Sequence, residues 1–464
     1  MGPSEAEENG SKMSTLGRTH ENGGDSRHSG EQRFWHGFAN MANVTPADEV
    51  VVVRGEGCEV YDRDGRRYLD ATAGLWFCNV GYGRCSIAEV VEKQLRNLPA
   101  YSTFGLYANE PTLELCDRIS EWAPLPDGKV FLTCNGSDAI DTAAKMVRRY
   151  WNEVGKAEKQ VIIGRDHAYH GMDAFGTSLA GISANAQGFG QLVPSVAQVP
   201  YDSVEALADE IARLGPDSVA AFVGEPVIGA GGVIPPPEDY WSGVAEVCRE
   251  NNVLLIADEV VTGFGRVGSR FGCERFGFVP DLLVFAKGVT SGYMPLGGVV
   301  VGSRVQEPFW SGDGVAFKHG YTYSGHAAAC AAALANLDII EEEGLVAKVA
   351  NFEAGWTESI SALADHPLVE EVRAVGLLGA VEVSHEEMKV RPGLLEEVVT
   401  NARKEGILTR ALPSAVHLSP SFVITEEQVD ELVSGLYRAL DDAQEEEGTG
   451  SARITPERGG DRLE

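Results

Sequence analysis

The sequence predicts an α/β protein built on a mainly parallel sheet covered on both faces, with a second, smaller α+β part made from both chain ends. Three observations carry this. Between about Val130 and Gly302, short apolar runs bounded by polar residues or glycine alternate with helical stretches. The runs are apolar at every position, as in strands buried on both faces. Before and after that region the pattern turns mixed, with short strands and amphipathic helices at each end.

The elements follow in order. Val50 to Asp70 reads as a small meander: Val50 to Val53, Glu59-Val60-Tyr61 and Tyr68-Leu69, broken by an Asp64-Gly65 turn signal. The buried strands are Val130–Thr133, Val161–Gly164, Ala220–Gly224, Val253–Ala257, Leu282–Ala286 and Gly298–Val301. Further on, Val372–Val375 and Gly379–Val383 read as strands, and Thr425 with Gln428 forms a capping box opening a last helix. The expected organisation is a disordered tail over 1–31, small-domain segments over 32–75 and 336–440, a large domain over 76–335, and a second disordered tail over 441–464.

Composition narrows the function. The chain has 464 residues, 44% hydrophobic, with 69 acidic against 38 basic residues and a formal net charge of −31. Such a surface repels phosphate backbones and anionic lipid, so neither nucleic acid nor a membrane is an expected partner. The eight cysteines form no C-x-x-C pair and read as reduced, mostly buried thiols. No apolar run reaches the roughly eighteen residues of a membrane span, and no signal-peptide order opens the chain. A cytoplasmic enzyme is the expectation.

Ligands of a doubly wound sheet sit at the carboxyl ends of its strands, and the unusual residues fall there. Val253-Leu-Leu-Ile-Ala-Asp258-Glu259 ends a buried strand in two acids, which cost energy unless partnered or used to cap a helix. Asp281-Leu-Leu-Val-Phe-Ala-Lys287-Gly288 ends the next strand in a lysine. Alone, such a lysine is a snorkelling side chain; opposite Asp258 it has the setting of a desolvated Schiff-base lysine. Asn135-Gly136-Ser137 opens a helix and offers backbone N–H groups and a hydroxyl to a phosphate, or forms an ordinary N-cap. Asp166-His-Ala-Tyr169-His170-Gly171 places an aromatic ring at a strand end, able to stack on a flat cofactor. Its histidine pair lacks the further ligands a metal needs. Gly263-Phe-Gly265-Arg-Val-Gly268 matches the dinucleotide fingerprint, but two acids separate it from the strand and no amphipathic helix follows.

Taken together these residues resemble the class III (ω-amino) aminotransferases of pyridoxal-phosphate (PLP) fold type I. The likeness runs from about Phe34 to Ala439 and rests on Asn-Gly-Ser, Tyr-His-Gly, Gly-Glu-Pro, Asp-Glu-Val, Ala-Lys-Gly and Thr-Tyr-Ser-Gly-His in that order. The resemblance implies that Lys287 carries PLP as a Schiff base and that Asp258 pairs with the pyridine nitrogen. It implies that Tyr169 and Val260 sandwich the ring, and that Gly136 and Ser137 bind the phosphate. Thr322 would reach that phosphate from the other subunit of a homodimer, with dimers pairing into tetramers left open. The reaction implied is ping-pong transamination between an amine and a keto acid.

Substrate signals are softer. Ala73-Gly-Leu-Trp76-Phe-Cys-Asn-Val-Gly-Tyr-Gly83 resembles the ω-amine/β-alanine:pyruvate branch, in which Trp76 and Phe104 shape the substrate pocket. Arg410 resembles the mobile arginine that binds a substrate carboxylate and swings out for apolar amines. Glu225 is placed to pair with a basic group or a water. Val261 stands where 2-oxoglutarate-linked relatives tend to carry glutamine, and Ala327 follows His326 where the family usually has proline. The expected activity is transfer from an ω-amino acid or primary amine to pyruvate, giving alanine. The alternatives are 2-oxoglutarate as acceptor, a PLP aminomutase or racemase, or a non-catalytic nucleotide-binding protein.

Overall fold

The computed structural model describes residues 33–45 and 49–449. The part of the chain before Val52 is a unit of its own, with a short 3-10 turn at Met41–Asn43 and a 2.9 Å contact between His36 Nε2 and Glu49. The tail expected over 1–31 lies outside the described residues.

From Val52 onward there are three sheets. The first joins β1 (Val52–Glu56), β2 (Glu59–Asp62) and β3 (Arg67–Asp70) to β13 (Ile407–Leu408). The β13 strand runs parallel to β3, with Ile407 beside Leu69, so residues far apart in sequence share one sheet. A three-stranded sheet follows from β11 (Val369–Val375), β12 (Leu378–Val383) and β14 (Ala415–Leu418).

The largest sheet has seven strands: β4 (Lys129–Thr133), β5 (Val161–Arg165), β6 (Val196–Val199), β7 (Val219–Gly224), β8 (Leu254–Asp258), β9 (Leu282–Phe285) and β10 (Gly297–Val301). Their spatial order is β4-β10-β9-β8-β7-β5-β6. Strands β9, β8, β7, β5 and β6 are parallel, and β10 runs antiparallel to both neighbours.

Alternate residues of these strands enter two cores. Leu254, Ile256, Leu282 and Val284 face the helix Gly136–Glu153, through Ala139, Ala143 and Val147. Leu255, Ala257, Leu283 and Phe285 face the other side, with Phe264, Phe271 and Leu337. This two-sided burial is why the strands read as unbroken apolar runs.

Two features depart from expectation. In the edge strand β6, Val196 and Ala197 are half-buried, Gln198 is exposed and only Val199 is buried, so it lacks the fully apolar pattern of its neighbours. The stretch 441–449, expected as part of a second tail, is helical, because the helix Glu426–Thr449 runs through it, and the rest of that expected tail lies outside the described residues. That stretch is polar, but Leu440 and Ala443 fall on its inner face and are buried, and Arg391 Nη2 donates to Ala443 O at 2.9 Å. The capping box is present: Thr425 N–H donates to Gln428 at 3.2 Å, and Gln428 N–H to Thr425 Oγ1 at 3.3 Å.

Arg266 links these parts. It is fully buried and donates to Leu377 O at 3.2 Å, Pro420 O at 2.5 Å and Asn79 Oδ1 at 2.8 Å. Burial pushes its pKa down to about 9. Replacing Arg266 with methionine strands three buried acceptors, so Arg266→Met should lower unfolding stability by about 3 kcal/mol or more. Urea midpoints of the two proteins measure it, and equal midpoints would refute the linking role.

Candidate active site

The parallel pairing of β8 with β9 sets Asp258 opposite Val284, three residues before Lys287. Asp258 and Lys287 therefore leave neighbouring strands at one carboxyl edge, where a doubly wound sheet exposes its ligands. Burial lowers the Lys287 amino pKa, Asp258 and Glu225 oppose that shift, and Arg410 adds to it. Lys287 has φ of +47° and opens a tight turn, Lys287–Val289, just after β9.

The two strand-end acids divide their work. Asp258 Oδ2 bonds His170 Nδ1 at 2.7 Å, and Asp258 Oδ1 accepts from Val260 N–H at 3.1 Å. Glu259 turns the other way. It accepts from Thr262 Oγ1, from Gly272 N–H at 2.8 Å and from Cys273 N–H at 2.7 Å, capping the short helix Gly272–Arg275.

The turn before helix Gly136–Glu153 approaches the same edge. Asn135 caps the helix by accepting from Asp138 N–H. A Cβ built on Gly136 would lie 3.1 Å from both Val260 methyls and 3.5 Å from Ala286, so the glycine leaves room between Val260 and the chain entering Lys287. Gly171 has φ of +92°, and a Cβ there would fall 2.4 Å from Ser137 Oγ. The close approach lets Ser137 Oγ accept from Met172 N–H at 3.2 Å.

Tyr169 is held by its backbone, which donates to Glu225 Oε1 at 3.0 Å; Glu225 Oε2 accepts from Gly229 N–H at 2.8 Å. Burial raises the Glu225 pKa, and the two N–H bonds oppose that. Trp76 is buried with its ring 5.6 Å from Lys287 Nζ and 5.4 Å from Arg410 Cζ. Its backbone is left-handed, with Ala73, Gly74 and Trp76 all at positive φ. Asp70 ties that turn down, accepting from Thr72 N–H at 2.9 Å, Gly74 N–H at 2.6 Å and Tyr82 OH at 2.7 Å.

Lys287, Asp258, Val260, Gly136, Ser137, Tyr169, Glu225, Trp76 and Arg410 thus surround one site. Phe104 and Thr322 do not join them within the chain. Phe104 is half exposed, packs against Gly320 and lines a separate cavity of about 720 Å³ whose walls include none of those nine residues. Thr322 is exposed, on a segment where Tyr321 OH donates to Asp138 O.

The chain matches the family model for aminotransferase class III over residues 41–440. The chain is a class III aminotransferase.

Relatives of this aminotransferase include a diaminobutyrate–2-oxoglutarate transaminase of Halomonas elongata, 40% identical over 84% of this chain and 90% of that protein. A putrescine–pyruvate aminotransferase of Pseudomonas aeruginosa is 39% identical over 87% of this chain and 93% of that protein. Among solved structures, a thermostable (S)-enantioselective omega-transaminase from Thermomicrobium roseum superposes with a TM-score of 0.85. It is 38% identical, covering 88% of this chain and 96% of that one. The class III aminotransferase is a PLP enzyme of fold type I, with amines and keto acids as substrates.

Its residues fit PLP. The space kept open by Gly136 beside Val260 leads to free N–H groups at the start of an 18-residue helix, suited to a phosphate. A desolvated lysine and a buried carboxylate lie at the same edge. Motif reading missed two supports of this aminotransferase's site. His170 drew attention only as a metal ligand, and its role appears through the bond to Asp258. Asp70 gave no signal, since an acid closing a surface-type meander is ordinary.

Gly171→Ala should push the Ser137 turn outward. Strain of about 1–3 kcal/mol at a left-handed position corresponds to roughly tenfold weaker retention of PLP. Equilibrium dialysis of the cofactor measures this, and unchanged retention would refute the cradle.

Proposed function

We propose that this aminotransferase moves the amino group of an ω-amino acid or primary amine to pyruvate, giving alanine. The observation that carries the reading is Arg410. Its guanidinium is half-buried over Trp76, and among the described residues no carboxylate pairs with it. It is also the cation acting on the Lys287 amino group. One unpaired cation matches one carboxylate, as in pyruvate or an ω-amino acid. A dicarboxylic acceptor would ask for a second.

Residue roles follow. Lys287 would be the covalent anchor of the cofactor and, once released, the base whose Nζ would take a proton from the substrate carbon and deliver it to the cofactor's C4′. Its lowered pKa suits both tasks. Asp258, held by His170 and the Val260 N–H, is the partner of the pyridine nitrogen. Gly136, Ser137 and the helix start would hold the phosphate, and Tyr169 and Val260 would pack on the ring. Bound PLP supplies the electron sink that stabilises charge on the substrate carbon. Glu225 fixes Tyr169 and the Gly229 turn; Trp76 and Phe104 bound the amine. The seven-stranded sheet is read as the core of a large domain over 76–335, with both chain ends forming the small one.

We read the working unit as a homodimer with Phe104 and Thr322 reaching the partner's site. In support, Tyr101, Phe104, Leu106, Tyr107 and Tyr323 form an exposed apolar group near Thr322, the kind of surface a second copy covers.

The relative from Halomonas elongata is named for 2-oxoglutarate, so the acceptor assay decides. Alanine formation from pyruvate should exceed glutamate formation from 2-oxoglutarate; equal or faster use of 2-oxoglutarate would overturn the pyruvate reading. Arg410→Ala should cost ω-amino acid donors roughly tenfold or more in kcat/KM, the scale of a charged hydrogen-bonded pair, and uncharged amines far less. Borohydride reduction and peptide mapping should place the cofactor mass on Lys287. Its appearance on any other lysine would refute that assignment.

A further inference from the structure

Trp76 borders the Lys287 pocket with its backbone N–H bonded to Thr72 O at 2.9 Å and no hydrogen bond on its side chain. Its indole Nε1 is buried and unpartnered among the described residues. Besides the two cations and the apolar cluster it shares with Val227, Val267, Leu378 and Leu412, the indole meets the imidazole of His417, with ring centroids 4.1 Å apart and planes inclined by 36°. His417 lies on β14 with 0% exposure, and both of its ring nitrogens also lack a partner. A buried imidazole with no hydrogen bond is costly, so its contribution here is the flat face it offers.

The backbone fixes where that face lies. His417 N–H donates to Arg410 O at 3.0 Å, and Thr409 Oγ1 donates to His417 O at 2.5 Å. One short hairpin therefore delivers both Arg410 and the ring under Trp76. Burial, helped by Arg410, Arg266 and Lys287, holds the His417 pKa well below the usual histidine value. The ring is neutral and adds no third charge to a pocket that already carries Lys287 and Arg410.

Resting on the reading that Trp76 walls the amine pocket, we propose that His417 is a positioning residue for donor selectivity. Its ring sets the tilt of the indole, and the indole sets the room left for the substituent on the donor amine. Asp70 anchors only the backbone of its turn, so among the described residues His417 is the one aromatic ring that meets the indole, beside the shapeless packing of the apolar cluster.

The test compares holoenzymes of wild type, His417→Leu, His417→Phe, Trp76→Leu and the double variant His417→Leu/Trp76→Leu. For each, kcat and KM are measured with a bulky aryl amine and a small alkyl amine, using the better keto acid acceptor, alongside thermal midpoints. His417→Leu should change the ratio of the two kcat/KM values by about two- to tenfold, the range of an aromatic pair's orientation energy, mainly through KM. His417→Phe, which keeps a flat ring, should restore the ratio. In the Trp76→Leu background, His417→Leu should leave the ratio unchanged, since the residue acts through the indole. Equal loss on both donors would overturn the positioning role, as would a ratio change that persists without Trp76. A Trp76→Leu ratio equal to wild type would overturn the pocket reading and the His417 role with it.

Discussion

Everything in this site depends on keeping a lysine amino group out of water beside a carboxylate. Burial alone penalises the charged lysine, and a buried acid alone is equally costly. At the ends of β8 and β9 the two costs partly offset each other, because Asp258 and Glu225 oppose the depression of Lys287. Neither acid is free to collapse onto the lysine. The oxygens of Asp258 are taken by His170 and Val260 N–H, and those of Glu225 by Tyr169 and Gly229 N–H. The field on Lys287 is thus built from pre-positioned groups, which need no reorganisation when chemistry occurs.

The Asp258–Glu259 pair shows how one strand end serves two ends at once. Side chains alternate across a strand, so the first acid faces the site and the second faces the loop that follows. Glu259 gathers Thr262, Gly272 and Cys273. It thereby fixes the Gly263–Gly268 segment, whose glycines serve close packing: Cβ atoms at Gly265 and Gly268 would meet Phe422 and Ala350. A fingerprint that looks like a dinucleotide loop is here a tightly packed connection carrying Arg266.

Much of this was legible in the sequence because the central strands are buried on both faces and their ends are not. Six of the large sheet's strands could be placed from apolar runs, and the polar residues closing them marked the site. The edge strand β6 was not legible, since Val196–Val199 buries too little to stand out. The 441–449 stretch was missed because its composition is that of a solvated tail, with Ala443 its buried contact next to Leu440. In the site, Lys287, Asp258 and Gly136-Ser137 announced themselves by type and position. His417 did not: Ala415–Leu418 did not stand out as a strand, and the meaning of its histidine comes only from the chain crossing that lays it on Trp76.

The left-handed turn at Ala73, Gly74 and Trp76 has a consequence for how this enzyme can change. A tryptophan at φ of +61° pays a backbone penalty that glycine would not. Emptying a core position normally costs stability through the cavity it leaves. At this position a glycine would relieve conformational strain while it opened the pocket, so the two effects have opposite sign. Removing the indole at this position is therefore less destabilising than its burial implies.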